Sequence, residues 1–201
     1  MPLNIKIATS PLKLLHQATL SQRLGEILHF CLGFLLSNKK FKFSDSELLS
    51  LIEKALVYHP YLLMDREYFF EEVPKFILVL KSSPIWKELE KLLIKADCIY
   101  REIEGYYYPK AKLLRADLVA KYKDSLLLFE FKLKEEDLNL EQIELYIAFL
   151  KALFPKPALK VYGVFFNPPN LKLIKELNSK EDHANHSLSN TTQLPLFKNF
   201  N

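Results

Sequence analysis

The stretch that decides the fold is RADLVAKYKDSLLLFEFKLKEE, residues 115–136. The first half carries Leu118 and Val119, the second is rich in leucine and phenylalanine, and Lys123-Asp124-Ser125 separates them. It reads as two antiparallel strands joined by a short polar turn. Yet Asp117, Glu130 and Lys132 stand where apolar residues are expected. Successive side chains of a strand alternate between faces, so Glu130 and Lys132 share one face while Phe129, Phe131 and Leu133 take the other. A turn around Asp124 sets position 117 opposite 130 or 131, and this register brings Asp117 beside Glu130.

Two adjacent carboxylates repel, and each is harder to ionise unless something positive lies between them. A divalent cation fits, and hard oxygen ligands suit Mg²⁺ or Mn²⁺. Lys132 then lies near a metal-bound water and near any phosphate oxygen brought to the metal. That combination hydrolyses phosphodiesters: the metal acidifies water and neutralises developing charge, and the lysine adds a second positive contact. Acid-x-Lys is also common on solvated strand faces, so the surrounding sequence has to decide its weight.

Working outward, CIYREIEGYYY (98–108), KLLRADLVAKY (112–122) and SLLLFEFKL (125–133) make three consecutive antiparallel strands. Asn139 caps a helix over LEQIELYIAFLKALF, which Pro155 and Pro157 end. ALKVYGVFF (158–166) is a buried fourth strand, and LKLIKELNS (171–179) a short final helix.

The first half reads helical. Leu24, Ile27, Leu28, Cys31 and Leu35 recur at helical spacing, and Thr19 with Gln22, then Ser44 with Glu47, form capping boxes. A third helix spans residues 65–80, and Ser83-Pro84 opens a fourth. The expectation is an α/β protein: a central mixed sheet of about four strands flanked by helices (98–179), with an N-terminal helical layer (1–97). From residue 180 the chain is polar and aperiodic and reads as a disordered tail.

With 201 residues, 49% apolar and 26% charged, the chain is globular and long enough for one good core. No run approaches the ~18 apolar residues of a membrane span, and the start lacks signal-peptide order, so a cytoplasmic protein without a membrane partner is expected. Cys31 and Cys98 read as buried thiols, too few for a thiolate-bound iron–sulfur cluster. The net charge of +4 admits a polyanionic partner without requiring one.

Asp117 followed by Glu130-Phe131-Lys132 resembles the core motif of the PD-(D/E)xK nucleases. Two further motifs resemble those of the RecB-like branch, in the same order: Gly-x-x-x-His, matched by Gly25 and His29, and Gln-x-x-x-Tyr, matched by Gln142 and Tyr146. The resemblance covers residues 20–167. It implies a restriction-endonuclease-like core and a Mg²⁺- or Mn²⁺-dependent deoxyribonuclease of DNA repair or recombination. In that scheme His29, Asp117, Glu130 and the Phe131 carbonyl bind the metal. Lys132 positions or activates the attacking water, and Gln142 and Tyr146 support the site or the DNA. Taken alone, His29 and Tyr146 also read as core residues, and Gln142 as the capping-box partner of Asn139.

The chain departs from the family pattern in three places. Leu114-Arg115-Ala116-Asp117 alters the residues before the aspartate, the four cysteines of the cluster-bearing relatives are missing, and the upstream acid is either Glu102 or Glu104, with Glu102 favoured.

No GxxxxGK[ST] sequence is present, so unwinding would come from a helicase on another chain, or the substrate would be single-stranded or an end. Lys110, Lys112 and Arg115 are candidate DNA contacts. Lys87, Lys91 and Lys95 read as a backbone-tracking stripe or simply a solvated helix face, and Tyr106, Tyr107 and Tyr108 as base-stacking or strand-packing groups. Near the end, QLPLF places Gln193, Leu194, Leu196 and Phe197 where no core can take them. It resembles the peptide by which bacterial DNA-processing proteins bind the replicative sliding clamp; a tail folded back on its own domain is the alternative. The rival functional reading is a catalytically silent DNA-binding or adaptor subunit on the same fold, recruited through that peptide.

Overall fold

The computed structural model describes residues 18–107 and 112–178. Five strands form one mixed sheet, and helices cover its faces. The helical layer comes first: α1 (Leu20–Ser37), α2 (Asp45–Tyr58), a 3₁₀ turn (Pro60–Asp65), α3 (Arg66–Ser82) and α4 (Pro84–Leu93). Then follow β1 (Cys98–Tyr107), β2 (Lys112–Lys121), β3 (Ser125–Lys132), a short 3₁₀ turn (Glu135–Asp137), α5 (Leu140–Leu153), β4 (Ala158–Phe166) and β5 (Pro169–Leu177). The strands lie in the order β1-β2-β3-β4-β5. All neighbours are antiparallel except β3 and β4, which run parallel across the α5 crossover.

Local chemistry explains most of the boundaries. Both expected capping boxes form: Thr19 and Gln22 exchange side chain–backbone hydrogen bonds at the start of α1, and Ser44 and Glu47 do so at α2. Each such cap contributes about 1 kcal/mol. Asn139 caps α5 by accepting from the Gln142 N–H at 3.1 Å. Ser83 does occupy the position before α4, but its hydroxyl turns back to donate to the Leu80 carbonyl and caps nothing. The third helix starts and ends slightly later than its sequence pattern predicts and tolerates Pro74. Proline removes one helix hydrogen bond, and the full burial of Val73 and Ile77 on either side holds the segment in place.

Two cores sandwich the sheet. One lies between the helical layer and residues such as Leu118, Ala120, Phe129 and Phe131. The other lies between α5 and Leu114, Ala116, Leu126 and Leu128.

Two further expectations fail. The short final helix does not form: Pro169–Leu177 is a fifth strand, antiparallel to β4. The pairing jumps from Val161↔Lys175 to Tyr162↔Leu173, so Ile174 is an extra residue at a bulge. That insertion breaks the two-residue period and leaves Leu171, Ile174 and Leu177 at intervals of three, a spacing that mimics a helix face. Cys98 is exposed rather than buried, because it begins an edge strand; Cys31, inside α1, is buried as expected. Among the described residues no helix is long and apolar enough to cross a membrane.

Candidate active site

The site forms where the regular alternation of two strands breaks. On β2, Leu114 and Ala116 belong to the α5 core, yet Leu118 and Ala120 belong to the core beneath the helical layer. The phase changes at Asp117. On β1 the same change falls at Glu102. Gly105 faces Phe149 of α5, whereas Arg101 lies against Gly33 of α1. Glu102 and Asp117 stand opposite each other, between the pairs Arg101↔Leu118 and Ile103↔Ala116. Glu102 takes a φ of 51°, the left-handed region, which costs a non-glycine residue about 1–2 kcal/mol.

This switch turns the Asp117 side chain toward β3. Backbone pairing of β2 with β3 reaches Leu118↔Phe129, and the next free donor, the Phe131 N–H, is taken by Asp117 Oδ2 at 2.8 Å. The other oxygen, Oδ1, lies 3.2 Å from Nδ1 of His29, delivered by α1. The His29 ring also meets the Phe131 ring edge-on at 5.7 Å between centroids. At the end of β3, Lys132 Nζ donates to Glu130 Oε1 at 2.6 Å. Glu130 is 1% exposed, and its second oxygen, Oε2, is buried without a hydrogen-bond partner.

The electrostatics are asymmetric. Burial, then the neighbouring Asp117 charge, raises the Glu130 carboxyl from 4.5 to about 7 against the opposing pull of Lys132. Burial also opposes ionisation of Asp117, but the charge and hydrogen bond of His29, the Phe131 N–H and Lys132 outweigh it and hold Asp117 below its ordinary value. His29 shows the complement: burial disfavours its cation, and Asp117 nevertheless raises its pKa. One carboxylate is thus held ionised, and the other is pushed toward its neutral form despite its lysine.

Of these groups His29 and Lys132 line a cleft of ≈ 700 Å³, together with Gly25 and Glu26 of α1, Arg115 of β2, and Asp137. Arg115 is 4.0 Å from Glu102. Burial lowers its pKa and the charges of Glu102, Glu26, Asp117 and Glu104 more than restore it. On α5, Gln142 Nε2 donates to the Tyr146 hydroxyl at 2.5 Å. The backbone of Gln142 serves the cap and its side chain is committed to Tyr146, so the capping-box reading of the side chain does not hold. Tyr146 is 3% exposed; burial, then the Glu130 and Asp117 charges, raise its pKa.

The fold therefore gathers His29, Asp117, Glu130, Phe131 and Lys132, with Tyr146 close enough to feel both carboxylates. Among the described residues, no three His, Cys, Asp or Glu side chains already stand in a ready metal-holding cluster. Lys87, Lys91 and Lys95 lie on α4 or just beyond it, next to the start of β1 at the sheet end away from Lys132. Lys110, Tyr108, the side chains of Tyr107 and Lys112, and the whole of Gln193–Phe197 lie outside the described residues.

Two acids of the cleft belong to none of the sequence motifs. Glu26 accepts from the Tyr61 hydroxyl at 2.7 Å and borders the cleft; its position three residues before His29 on one helix face was the available signal. Asp137, which accepts from the Lys134 N–H at 3.0 Å, had none. Compared with known proteins, the sequence matches no protein-family model and no curated protein.

Proposed function

We propose that this protein is a metal-dependent deoxyribonuclease with a restriction-endonuclease-like core of the RecB-like PD-(D/E)xK type. The observation that carries the reading is Glu130 Oε2: a buried carboxylate oxygen with no partner, in a cluster with a second buried carboxylate and with a lysine that lines a cleft open to solvent. A buried carboxylate oxygen left without a partner is costly, and a hard divalent cation would supply one. His29, Asp117, Glu130 and the Phe131 carbonyl would hold Mg²⁺ or Mn²⁺. In a strand the N–H and C=O of one residue point the same way, so that carbonyl shares the side of the N–H that reaches Asp117. Such an ion, when bound, lowers the pKa of coordinated water and neutralises charge on a phosphoryl group.

The chain's own residues do the rest. Lys132 donates to Glu130 Oε1; with Glu130 holding a cation instead, the ammonium would be available to orient water or steady a non-bridging phosphate oxygen. Asp117 is kept ionised by His29 and the Phe131 N–H, so it presents charge at neutral pH. Arg115 reaches the cleft as a second contact for the strand. The strained backbone at Glu102, opposite Asp117, supports it over Glu104 as the additional acid, since such strain concentrates at functional sites.

The test is cleavage of end-labelled single- and double-stranded DNA in Mg²⁺ or Mn²⁺, with Lys132→Ala and Asp117→Asn alongside. Removal of either group is expected to lower the rate by about 10² or more, the scale of losing one transition-state contact, with unfolding curves close to wild type. Activity that survives both changes refutes the assignment.

One observation favours the silent-adaptor reading instead: His29 and the Phe131 N–H engage Asp117 and Lys132 engages Glu130, so three of the four carboxylate oxygens already have partners within the protein. In that case DNA is bound and never cut. The sliding clamp, through Gln193–Phe197, and a helicase chain remain proposals for partners, and loss of clamp pull-down on Leu196→Ala with Phe197→Ala is their test.

A further inference from the structure

The chain has four glycines, and three of them are explained by what lies over them. A Cβ on Gly33 would meet Arg101 at 3.1 Å, one on Gly105 would strike Phe149, and one on Gly163 would stand 2.6 Å from Phe165. Gly25 is different. A Cβ built there meets nothing within 4 Å, and no left-handed backbone requires glycine, because Gly25 lies in the interior of α1. Glycine at such a position weakens a helix relative to alanine. Its packing gives no return for that weakness.

What Gly25 does border is the cleft. It shares one face of α1 with Ser21 and His29, four residues to either side, and Arg115 and Lys132 belong to the same cleft. No acidic residue sits in the first turn of α1, so the positive end of the helix dipole is left uncompensated near the same opening. Two acids share the lining with Arg115 and Lys132: Glu26, which accepts from the Tyr61 hydroxyl, and Asp137, which accepts from the Lys134 N–H. The two cations and the start of α1 are the groups that would meet a chain of negative charge.

We infer that Gly25 is a clearance residue: its missing side chain lets the sugar–phosphate backbone of a nucleic-acid strand run against the α1 backbone on its way to His29 and Lys132. This rests on the nuclease reading and adds to it the track of the strand and a residue that limits what can follow it. Gly25 is a positioning residue and touches no reacting atom.

The experiment compares Gly25→Ala and Gly25→Leu with wild type. Anisotropy of a fluorescein-labelled single-stranded oligonucleotide in EDTA reads binding, thermal melting reads the fold, and KM and kcat in Mg²⁺ read catalysis. Both variants are expected to melt at or above the wild-type temperature, as good helix formers should. Affinity should fall with side-chain size, by about tenfold or more for Gly25→Leu, with KM rising more than kcat falls. Wild-type binding in Gly25→Leu would overturn the proposal while leaving the nuclease intact. If Gly25→Leu does not fold, Gly25→Ala decides: a higher melting temperature with unchanged affinity and KM counts against a strand at this position. Wild-type protein that bound no strand and cut none would remove the nuclease reading and this proposal together.

Discussion

Glu130 is the residue whose environment contrasts most with its chemistry. In the folded chain it keeps its proton up to about pH 7, because burial and the Asp117 charge oppose ionisation; the unfolded chain releases it at the ordinary 4.5. Between those values the folded state binds more protons, so stability present below pH 4.5 is lost as pH rises through about 7. His29 acts in the same direction: its raised pKa gives stability below 6.5 that is lost as pH rises through the folded value. Asp117, held low, acts oppositely and only in acid. Urea unfolding from pH 4.5 to 8 in EDTA should therefore show metal-free stability falling toward neutrality, by at most about 1.4 kcal/mol per pH unit for one proton. Glu130→Gln should flatten the fall. Parallel curves for the two proteins would show that Glu130 does not titrate in this window. Asp117 and Glu130 were legible as a pair from the hairpin pattern alone; the pairing of Asp117 with the Phe131 N–H was not, because it depends on where the β2–β3 ladder stops.

At the scale of elements, the helices were written locally. Thr19-Gln22 and Ser44-Glu47 specify starts that form as read. Strands are less local, and the two places that resisted reading are both irregular. Ile174, extra at a bulge, disguised β5 as a helix. Glu102, at positive φ, reverses which face of β1 looks inward. Glycine tolerates that backbone and a β-branched residue does not. Glu102→Gly is thus expected to keep stability within about 1 kcal/mol of wild type, and Glu102→Val to lose about 2 kcal/mol or more in urea unfolding. Equal losses from both would mean that the carboxylate's contact with Arg115, not the backbone angle, is what matters there.

Over the whole molecule, the site is a meeting of three parts: α1 delivers His29 and the open wall at Gly25, the β2–β3 hairpin delivers the acids and the lysine, and α5 closes the sheet from behind with Tyr146. A ligand that binds only when these are assembled stabilises the fold by mass action, about 2.7 kcal/mol at a hundredfold excess over its Kd. Mn²⁺ is therefore expected to raise the melting temperature of the wild type, EDTA to reverse the rise, and Asp117→Asn with Glu130→Gln to abolish it. An equal rise in the double variant would place the bound ion elsewhere. Capping, periodicity and turn chemistry act over a few residues, so the helical layer, the three-stranded meander with the helix after it, and the placing of Asp117, Glu130 and Lys132 on one hairpin were readable from the chain, while His29 was expected only from the motif resemblance. The fifth strand, the face reversal at Glu102 and Asp117, the approach of Glu26 and Arg115 to the cleft, and the open space beside Gly25 came from the packed fold alone. Those features arise where strands distant in sequence stop pairing or slip by one residue, and such long-range geometry leaves no period in the chain.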